Sequence, residues 1–267
     1  MLGLDFQIYL KANNERKIKL PLKKIKKEFE RFIIKKFKKI DRFQNYLDGD
    51  GYFTKSFSTS GEDSILKFIL ECEKGKDYKG FYVDIGAHHP FSGSNTQYLY
   101  EKGWRGINID ACPTSMEIIN KYRTEDINLL TGVSNVKGIF KFNLFNIPVL
   151  NGLDNKVTKE YLNSHDVELV DQIDVQVDTL EEILDRHLPV GCKIDLMNID
   201  VEGVDFEVLE SNNWSKYKPQ YLLIEYIHDG YEIEKISENP KTKFLKEQGY
   251  KLVAISPLTM IFSLETT

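Results

Sequence analysis

Gly80-Phe81-Tyr82-Val83-Asp84-Ile85-Gly86-Ala87 is an apolar run that closes on an acid and a glycine. Its length and its aromatic and β-branched content read as a buried strand, and the glycine as a sharp turn after it. A second such run, Gly106-Ile107-Asn108-Ile109, closes on Asp110, with a helical stretch from Ser94 to Lys102 in between. Strand, helix and strand in that order build a parallel sheet, and open parallel sheets bind ligands outside the carboxyl ends of their strands.

The same alternation continues outward. A helix from Gly61 to Glu73 precedes the first strand, and a helix from Thr114 to Tyr122 and a strand from Ile127 to Val133 follow the second. Residues 138–145 alternate with a period of two, which predicts a half-exposed strand in a hairpin extension. Residues 146–171 have weak periodicity and many turn formers, and are expected to form a mobile loop or lid. Regular alternation resumes with strands at Ile173–Val177, Lys193–Ile199 and Gln220–Tyr226, helices at Thr179–His187 and Val204–Asn212, and a helix from Pro240 to Gln248. The last two strands, Tyr250–Ile255 and Thr259–Leu264, are joined by only three residues and must pair antiparallel. The expected fold is α/β and Rossmann-like: a mostly parallel, doubly wound sheet over residues 51–267, with a C-terminal antiparallel hairpin. The chain shows no internal repeat.

Residues 1–50 read differently. From Pro21 to Leu47 apolar residues recur at three- and four-residue steps, which predicts an amphipathic helix with Pro21 in its first turn. Between Lys11 and Arg42 there are fourteen Lys and Arg against four acids, a local balance of +10 in a chain whose net charge is −5. The lysine face suits water, an anionic membrane surface or an acidic partner, and the apolar stripe suits docking on the body or in a homodimer. The rest of the chain is strongly acidic, which argues against nucleic acid as a partner.

With 267 residues the chain holds one full α/β core plus an extension. No run approaches the roughly 18 apolar residues of a membrane span, and the N-terminus lacks the features of a secretory signal. A cytoplasmic location is expected, with peripheral contact at the inner membrane surface through residues 21–47 compatible with it. Cys72, Cys112 and Cys192 are widely spaced and odd in number, and read as reduced, mostly buried thiols.

At the first strand end, Asp84 suits a positively charged group such as an amino group, and Gly86 lets backbone approach a ligand. Asp110 suits a pair of ribose hydroxyls. Either acid alone reads equally well as a helix cap, since Asp110-Ala111-Cys112-Pro113 leads into a helix. Gly86-Ala87-His88-His89-Pro90-Phe91 lacks the G-x-G-x-x-G spacing that seats a pyrophosphate. An adenosyl ligand without pyrophosphate, such as S-adenosylmethionine, does not require it.

Val83-Asp84-Ile85-Gly86-Ala87-His88-His89-Pro90, Ser94-Asn95-Thr96 and Glu101-Lys102-Gly103-Trp104-Arg105-Gly106-Ile107-Asn108-Ile109-Asp110 together resemble the FkbM-type methyltransferases. Two further stretches are similar to that family: Ser60-Gly61-Glu62-Asp63-Ser64-Ile65-Leu66 upstream, and Asn198-Ile199-Asp200-Val201-Glu202-Gly203-Val204-Asp205-Phe206-Glu207-Val208-Leu209 with Gln220–Glu225 downstream. The resemblance spans about residues 57–226 and leaves out the basic N-terminal helix. It implies methyl transfer from S-adenosylmethionine to a hydroxyl of a sugar, a polysaccharide precursor or another metabolite. On this chain it implies that Asp84, Gly86 and Ala87 shape the cofactor loop, that Asp110 holds the ribose, and that Glu62 approaches the cofactor's amino-acid end. Ser134 is expected near adenine, in a region where many methyltransferases carry an acid.

An alcohol acceptor must lose a proton, to a general base or to a metal that acidifies the hydroxyl. Asp200, Glu202 and His228 are the candidate catalytic groups, and Asp200 and Glu225 the candidate ligands of a Mg²⁺ ion. Against these stand structural readings: Glu202 and Asp205 as helix caps, Glu225 paired with a lysine. His88 and His89 read equally as acceptor-facing or as satisfied by backbone groups. Two other functions remain open: an NAD-dependent nucleotide-sugar oxidoreductase or epimerase, and a noncatalytic scaffold that binds a membrane or partner through the basic helix.

Overall fold

The computed structural model describes residues 55–153, 156–163, 166–226 and 232–265. The basic helix expected over residues 21–47 and the candidate His228 lie outside these residues. The chain divides into Met1–Lys55 and a compact unit, Ser56–Thr267.

Seven strands form the main sheet: β1 (Phe81–Ile85), β2 (Arg105–Asp110), β3 (Ile127–Leu130), β8 (Leu196–Ile199), β9 (Tyr221–Glu225), β10 (Tyr250–Ile255) and β11 (Thr259–Leu264). Their spatial order is β3-β2-β1-β8-β9-β11-β10. The first five are parallel, and β11 pairs antiparallel with both β9 and β10, as the short 256–258 connection requires. The order reverses between β1 and β8, and there the connections leave in opposite directions and open a crevice.

Alternation along these strands decides which side chains meet which layer. Val83, Ile85, Ile107, Ile109, Met197, Ile199, Leu222 and Ile224 face one side. They pack on α5 (Leu180–His187), α6 (Asp205–Glu210) and α7 (Pro240–Glu247) through residues such as Ile183, Val208 and Leu245. Tyr82, Leu196, Tyr221 and Leu223 face the other side, against Leu66 and Leu70 of α1 (Glu62–Lys74) and Leu99 of α2 (Gln97–Glu101). Fully burying a branched apolar side chain contributes about 1.5–3 kcal/mol, so the central strands carry most of the core. Local signals set the helix starts: Thr179 accepts from the Glu182 N–H, and Asn239 accepts from the Lys241 N–H ahead of Pro240. The helix α3 (Pro113–Tyr122) likewise begins on proline.

The structure corrects two strand assignments. The expected strand 127–133 is split: β3 ends at Leu130, and Gly132–Val133 form β4 of a second sheet, in which β4 is followed by β7 (Leu169–Asp178), β5 (Gly138–Phe145) and β6 (Gly152–Leu153). There β4 runs parallel to β7 (Leu169–Asp178), with Gly132 opposite Val177. A Cβ at Gly132 would lie 2.8 Å from Val177 Cγ2, so only glycine lets the chain cross between sheets here. The strand expected at 173–177 therefore belongs to this second sheet, paired antiparallel along its length with β5 (Gly138–Phe145).

The stretch expected to be a loop or lid is also more regular than its sequence suggests. Its described residues hold a 3-10 turn at Pro148–Leu150, β6 (Gly152–Leu153) and α4 (Lys156–Tyr161). Thr158 is fully buried, donating to the Leu153 carbonyl and accepting from Asn143. Among the described residues no helix is long and apolar enough to cross a membrane. Of the three free cysteines, only Cys112 is buried; Cys72 is exposed and Cys192 half-buried.

Candidate active site

A cavity of about 360 Å³ opens at the carboxyl ends of β1, β2 and β8, at the reversal of strand order. Its walls come from both sheets. Asp84, Gly86, Ala87, His88, Asp110, Asp200 and Glu202 all line it, so candidates from three strand ends far apart in sequence share one space with His88.

Gly86 sits at φ +81, and a Cβ there would lie 1.7 Å from the Asp200 carbonyl oxygen. The glycine is thus required by the close approach of the β1 and β8 ends before any ligand is considered. Backbone N–H groups of Gly86 and Ala87 both donate to the Ile109 carbonyl, which ties the turn to β2.

Asp84 is buried at the end of β1 and accepts two hydrogen bonds, from Thr96 Oγ1 at 2.6 Å and from Asn198 Nδ2 at 2.9 Å. Asn95 Nδ2 donates in turn to Asn198 Oδ1. Burial raises the Asp84 carboxyl above the usual carboxylate range, opposed by these donors and by Arg123. Asp110 accepts from the backbone N–H groups of His88 and Cys112, each at 2.7 Å. Burial pushes it up to about 6 despite those bonds, and the nearby Asp84 charge adds to the rise. Asp110 therefore holds the β1 turn and Cys112, the residue ahead of Pro113 and α3, at once, without itself capping the helix.

The apolar wall is built by Ile109, Ala111, Cys112, Val133, Phe142 and Leu153. Ser134 is not part of it. Its backbone N–H donates to the Asp178 carbonyl, and the β4–β7 pairing carries it past the cavity, leaving Thr131, Gly132 and Val133 as the lining residues. Glu62 does not line the cavity either. Its carboxylate accepts from the Ser60 N–H and the Ser256 hydroxyl, joining the start of α1 to the C-terminal hairpin turn, and Thr59 reaches the cavity instead.

Carboxylates gather at the other end. Oxygens of Asp200, Glu202 and Glu225 all lie within 4.8 Å of one another. Burial, then Asp205, Glu202 and Asp84, raise Asp200 well above the carboxylate range. Burial and the charges of Asp200, Asp205 and Glu202 push Glu225 up to about 10. Tyr161 of α4 donates its hydroxyl to Glu202. Asp205 is no cap: its carboxylate accepts from the Val201 N–H and lies 3.4 Å from the Lys241 ammonium, which also donates to the Glu225 backbone carbonyl.

The positive-φ residues that are not glycine, among those described, are His88 at +48 and Glu202 at +53. Both line this cavity, and backbone strain of that kind concentrates where function requires it. Burial lowers the His88 imidazole below its ordinary value, followed by the effect of His89, while Glu202 opposes the shift. His89 instead accepts from the N–H groups of Phe91 and Ser92.

The loop after β1 bears on the dinucleotide alternative. From His88 to Thr96 the chain is irregular, and α2 begins only at Gln97. No helix N-terminus directly follows Gly86, where the dinucleotide motif seats a pyrophosphate.

Several residues that complete this site had no role in the sequence reading. Asn95 and Thr96 lay in the quoted Ser94-Asn95-Thr96 stretch and Asn198 beside Asp200, but nothing in their spacing shows that they converge on Asp84. Arg123 reads as an ordinary basic residue at a helix end.

No curated protein matches the sequence. Among solved structures, the chain is similar to a precorrin-6y C5,15-methyltransferase from Geobacter metallireducens, at 11% identity and TM-score 0.40, over 82% of this chain and 96% of that one. It is also similar to a TehB-like SAM-dependent methyltransferase from Corynebacterium glutamicum, at 11% identity and TM-score 0.38, over 85% and 97%. An O-methyltransferase from Bacillus cereus in complex with SAH is similar at 8% identity and TM-score 0.38, over 85% and 90%. The family assignment rests on sequence: the methyltransferase FkbM domain matches residues 84–252, from the first strand-end acid into the C-terminal hairpin. That match covers well over half of the chain, which therefore belongs to the FkbM family of S-adenosylmethionine-dependent methyltransferases.

Proposed function

We propose that the protein transfers the methyl group of S-adenosylmethionine to a hydroxyl of a sugar, polysaccharide precursor or related small metabolite. The observation that carries this reading is the sharing of one cavity by Asp84, Asp110 and Asp200 at the reversal of strand order. Bound there, the cofactor supplies an electrophilic methyl group on a sulfonium. Asp110 accepts from the ribose hydroxyls, Asp84 faces the ammonium group, and the apolar wall from Ala111 to Phe142 receives the adenine.

In-line displacement draws most of its acceleration from alignment and exclusion of water, which a partly enclosed cavity provides. The hydroxyl acceptor then needs a base. Asp200 lies at the acidic end of the cavity, and a carboxylate raised well above its ordinary range is a stronger base than a solvated one. Glu202, fixed by Tyr161, orients the acceptor beside it.

The three clustered carboxylates favour one variant of this chemistry. Hard oxygen donors within 4.8 Å suit a divalent cation such as Mg²⁺, held by Asp200, Glu202 and Glu225, which would acidify the acceptor hydroxyl. Incubation with labelled S-adenosylmethionine and fractions of small glycans, with and without a chelator, tests both. Label transfer unaffected by the chelator supports Asp200 as base, transfer abolished by it supports the cation, and label that enters protein or nucleic acid alone refutes the acceptor class.

A further inference from the structure

Arg123, the C-cap residue of α3, is among the largest fully buried side chains of the protein. A buried guanidinium carries a heavy desolvation cost, so its bonds must account for its presence. Nη1 donates to the Tyr82 hydroxyl at 2.7 Å and lies 3.4 Å from Asp126 Oδ2. Nη2 donates to Ser94 Oγ and Thr96 Oγ1, each at 3.1 Å. Tyr100 stacks on the guanidinium, whose centre lies 4.8 Å from the ring centroid. Nε has no hydrogen-bond partner.

The bond to Thr96 has a directional consequence. A hydroxyl carries one proton and two acceptor sites. Arg123 fills one acceptor site of Thr96 and polarises its hydroxyl, which donates to Asp84 Oδ2, 2.6 Å away. The second donor to Asp84 is oriented in the same manner: Asn95 donates to Asn198 Oδ1, which turns the Asn198 amide N–H toward Asp84 Oδ1. Both oxygens of Asp84 thus face donors: the Asn198 amide N–H cannot accept in return, and the Thr96 hydroxyl, polarised by the Arg123 cation, is the stronger donor for it.

We propose that Arg123 is a positioning residue of the cofactor site, which acts through the Thr96 hydroxyl to hold Asp84 as an ionised acceptor for the ligand's ammonium group. The inference rests on the S-adenosylmethionine reading of the cavity. Other charges face Asp84 as well: Asp126 behind the network, and Asp110 and Asp200 across the cavity, all of which disfavour its ionisation. Arg123 is the cation that offsets them, and Tyr82 lies within the same electrostatic reach.

The test is the pH dependence of S-adenosylhomocysteine affinity in the wild type, Arg123→Gln, Arg123→Lys and Thr96→Val. Thr96→Val keeps the shape of the side chain and leaves the buried cation in place, so it reports even if Arg123→Gln folds poorly. The expected result is a Kd at least tenfold above wild type at pH 6.5 for Thr96→Val and Arg123→Gln, with the ratio falling toward one by pH 8.5, and partial recovery in Arg123→Lys. A ratio that stays constant with pH, or equals one throughout, overturns the proposal while leaving the cofactor site intact. A wild type that does not bind S-adenosylhomocysteine overturns the cofactor reading and this inference with it.

Discussion

The carbonyl oxygen of Asp200 stands against the α-carbon of Gly86, with room for a hydrogen but not for a methyl group. The contact ties the turn after β1 to the acidic end of the cavity, so either one moves only with the other. Gly86→Ala must open the β1–β8 crevice and also bear a left-handed backbone, a cost of about 1–3 kcal/mol from the conformation alone. The expected outcome is a lowered urea midpoint together with loss of cofactor affinity. A variant with wild-type midpoint and affinity would show that the two strand ends are not in this contact.

Asp110 gives a pH signature. Its carboxyl is pushed up to about 6, and on the proposed function only its ionised form accepts fully from two ribose hydroxyls. Affinity for S-adenosylhomocysteine should fall as pH drops from 7.5 through 6, approaching a tenfold loss per unit below that point. Asp110→Ala should bind at least tenfold more weakly at pH 7.5, and its affinity should lose the component centred near 6. An unchanged pH profile in the variant would assign that component elsewhere.

Glu225 gives a pH signature in stability rather than in affinity. Its folded value of about 10 stands above the ordinary 4.5, so the protonated form favours folding, and this benefit is lost progressively as pH rises from 4.5 toward 10. Glu225→Gln keeps the shape without the charge. The metal-free variant should therefore melt at a higher temperature than wild type at pH 8, with the gap shrinking toward pH 5, while methyl transfer falls. Melting temperatures that move in parallel across that range would refute the raised value.

Cys112 reports on the apolar wall. It lines the cavity, whereas Cys72 is exposed on the surface of α1. Thiol labelling followed by mass spectrometry should show Cys112 protected by S-adenosylhomocysteine and Cys72 unaffected. Equal labelling of Cys112 with and without ligand would place the adenosyl group elsewhere.

The parallel strands and their terminal acids were legible because fully buried strands are continuous apolar runs, and Asp84, Asp110 and Asp200 interrupt those runs at the sheet edge. Local patterns do not say which sheet a strand joins, so Ile173–Val177 was placed in the wrong one. The break at Thr131-Gly132 depends on Val177, 45 residues away, and carries no local mark. Glu62 and Ser134 lie off the cavity lining for a related reason. Glu62 is satisfied by Ser256, nearly two hundred residues distant, and Ser134 is redirected by pairing with β7. Arg123 escaped notice because a basic residue at a helix end reads as solvated, and only the packed structure buries it behind Thr96.

On the proposed function, one adenosyl ligand spans the ends of β1 and β2. Calorimetric titration of S-adenosylhomocysteine into wild type and Asp110→Ala, with NAD as the comparison ligand, tests it most directly. Saturable one-to-one binding to wild type, at least tenfold weaker in Asp110→Ala and absent with NAD, is the predicted result. Binding of NAD in preference to S-adenosylhomocysteine, or no difference between the two proteins, would contradict it.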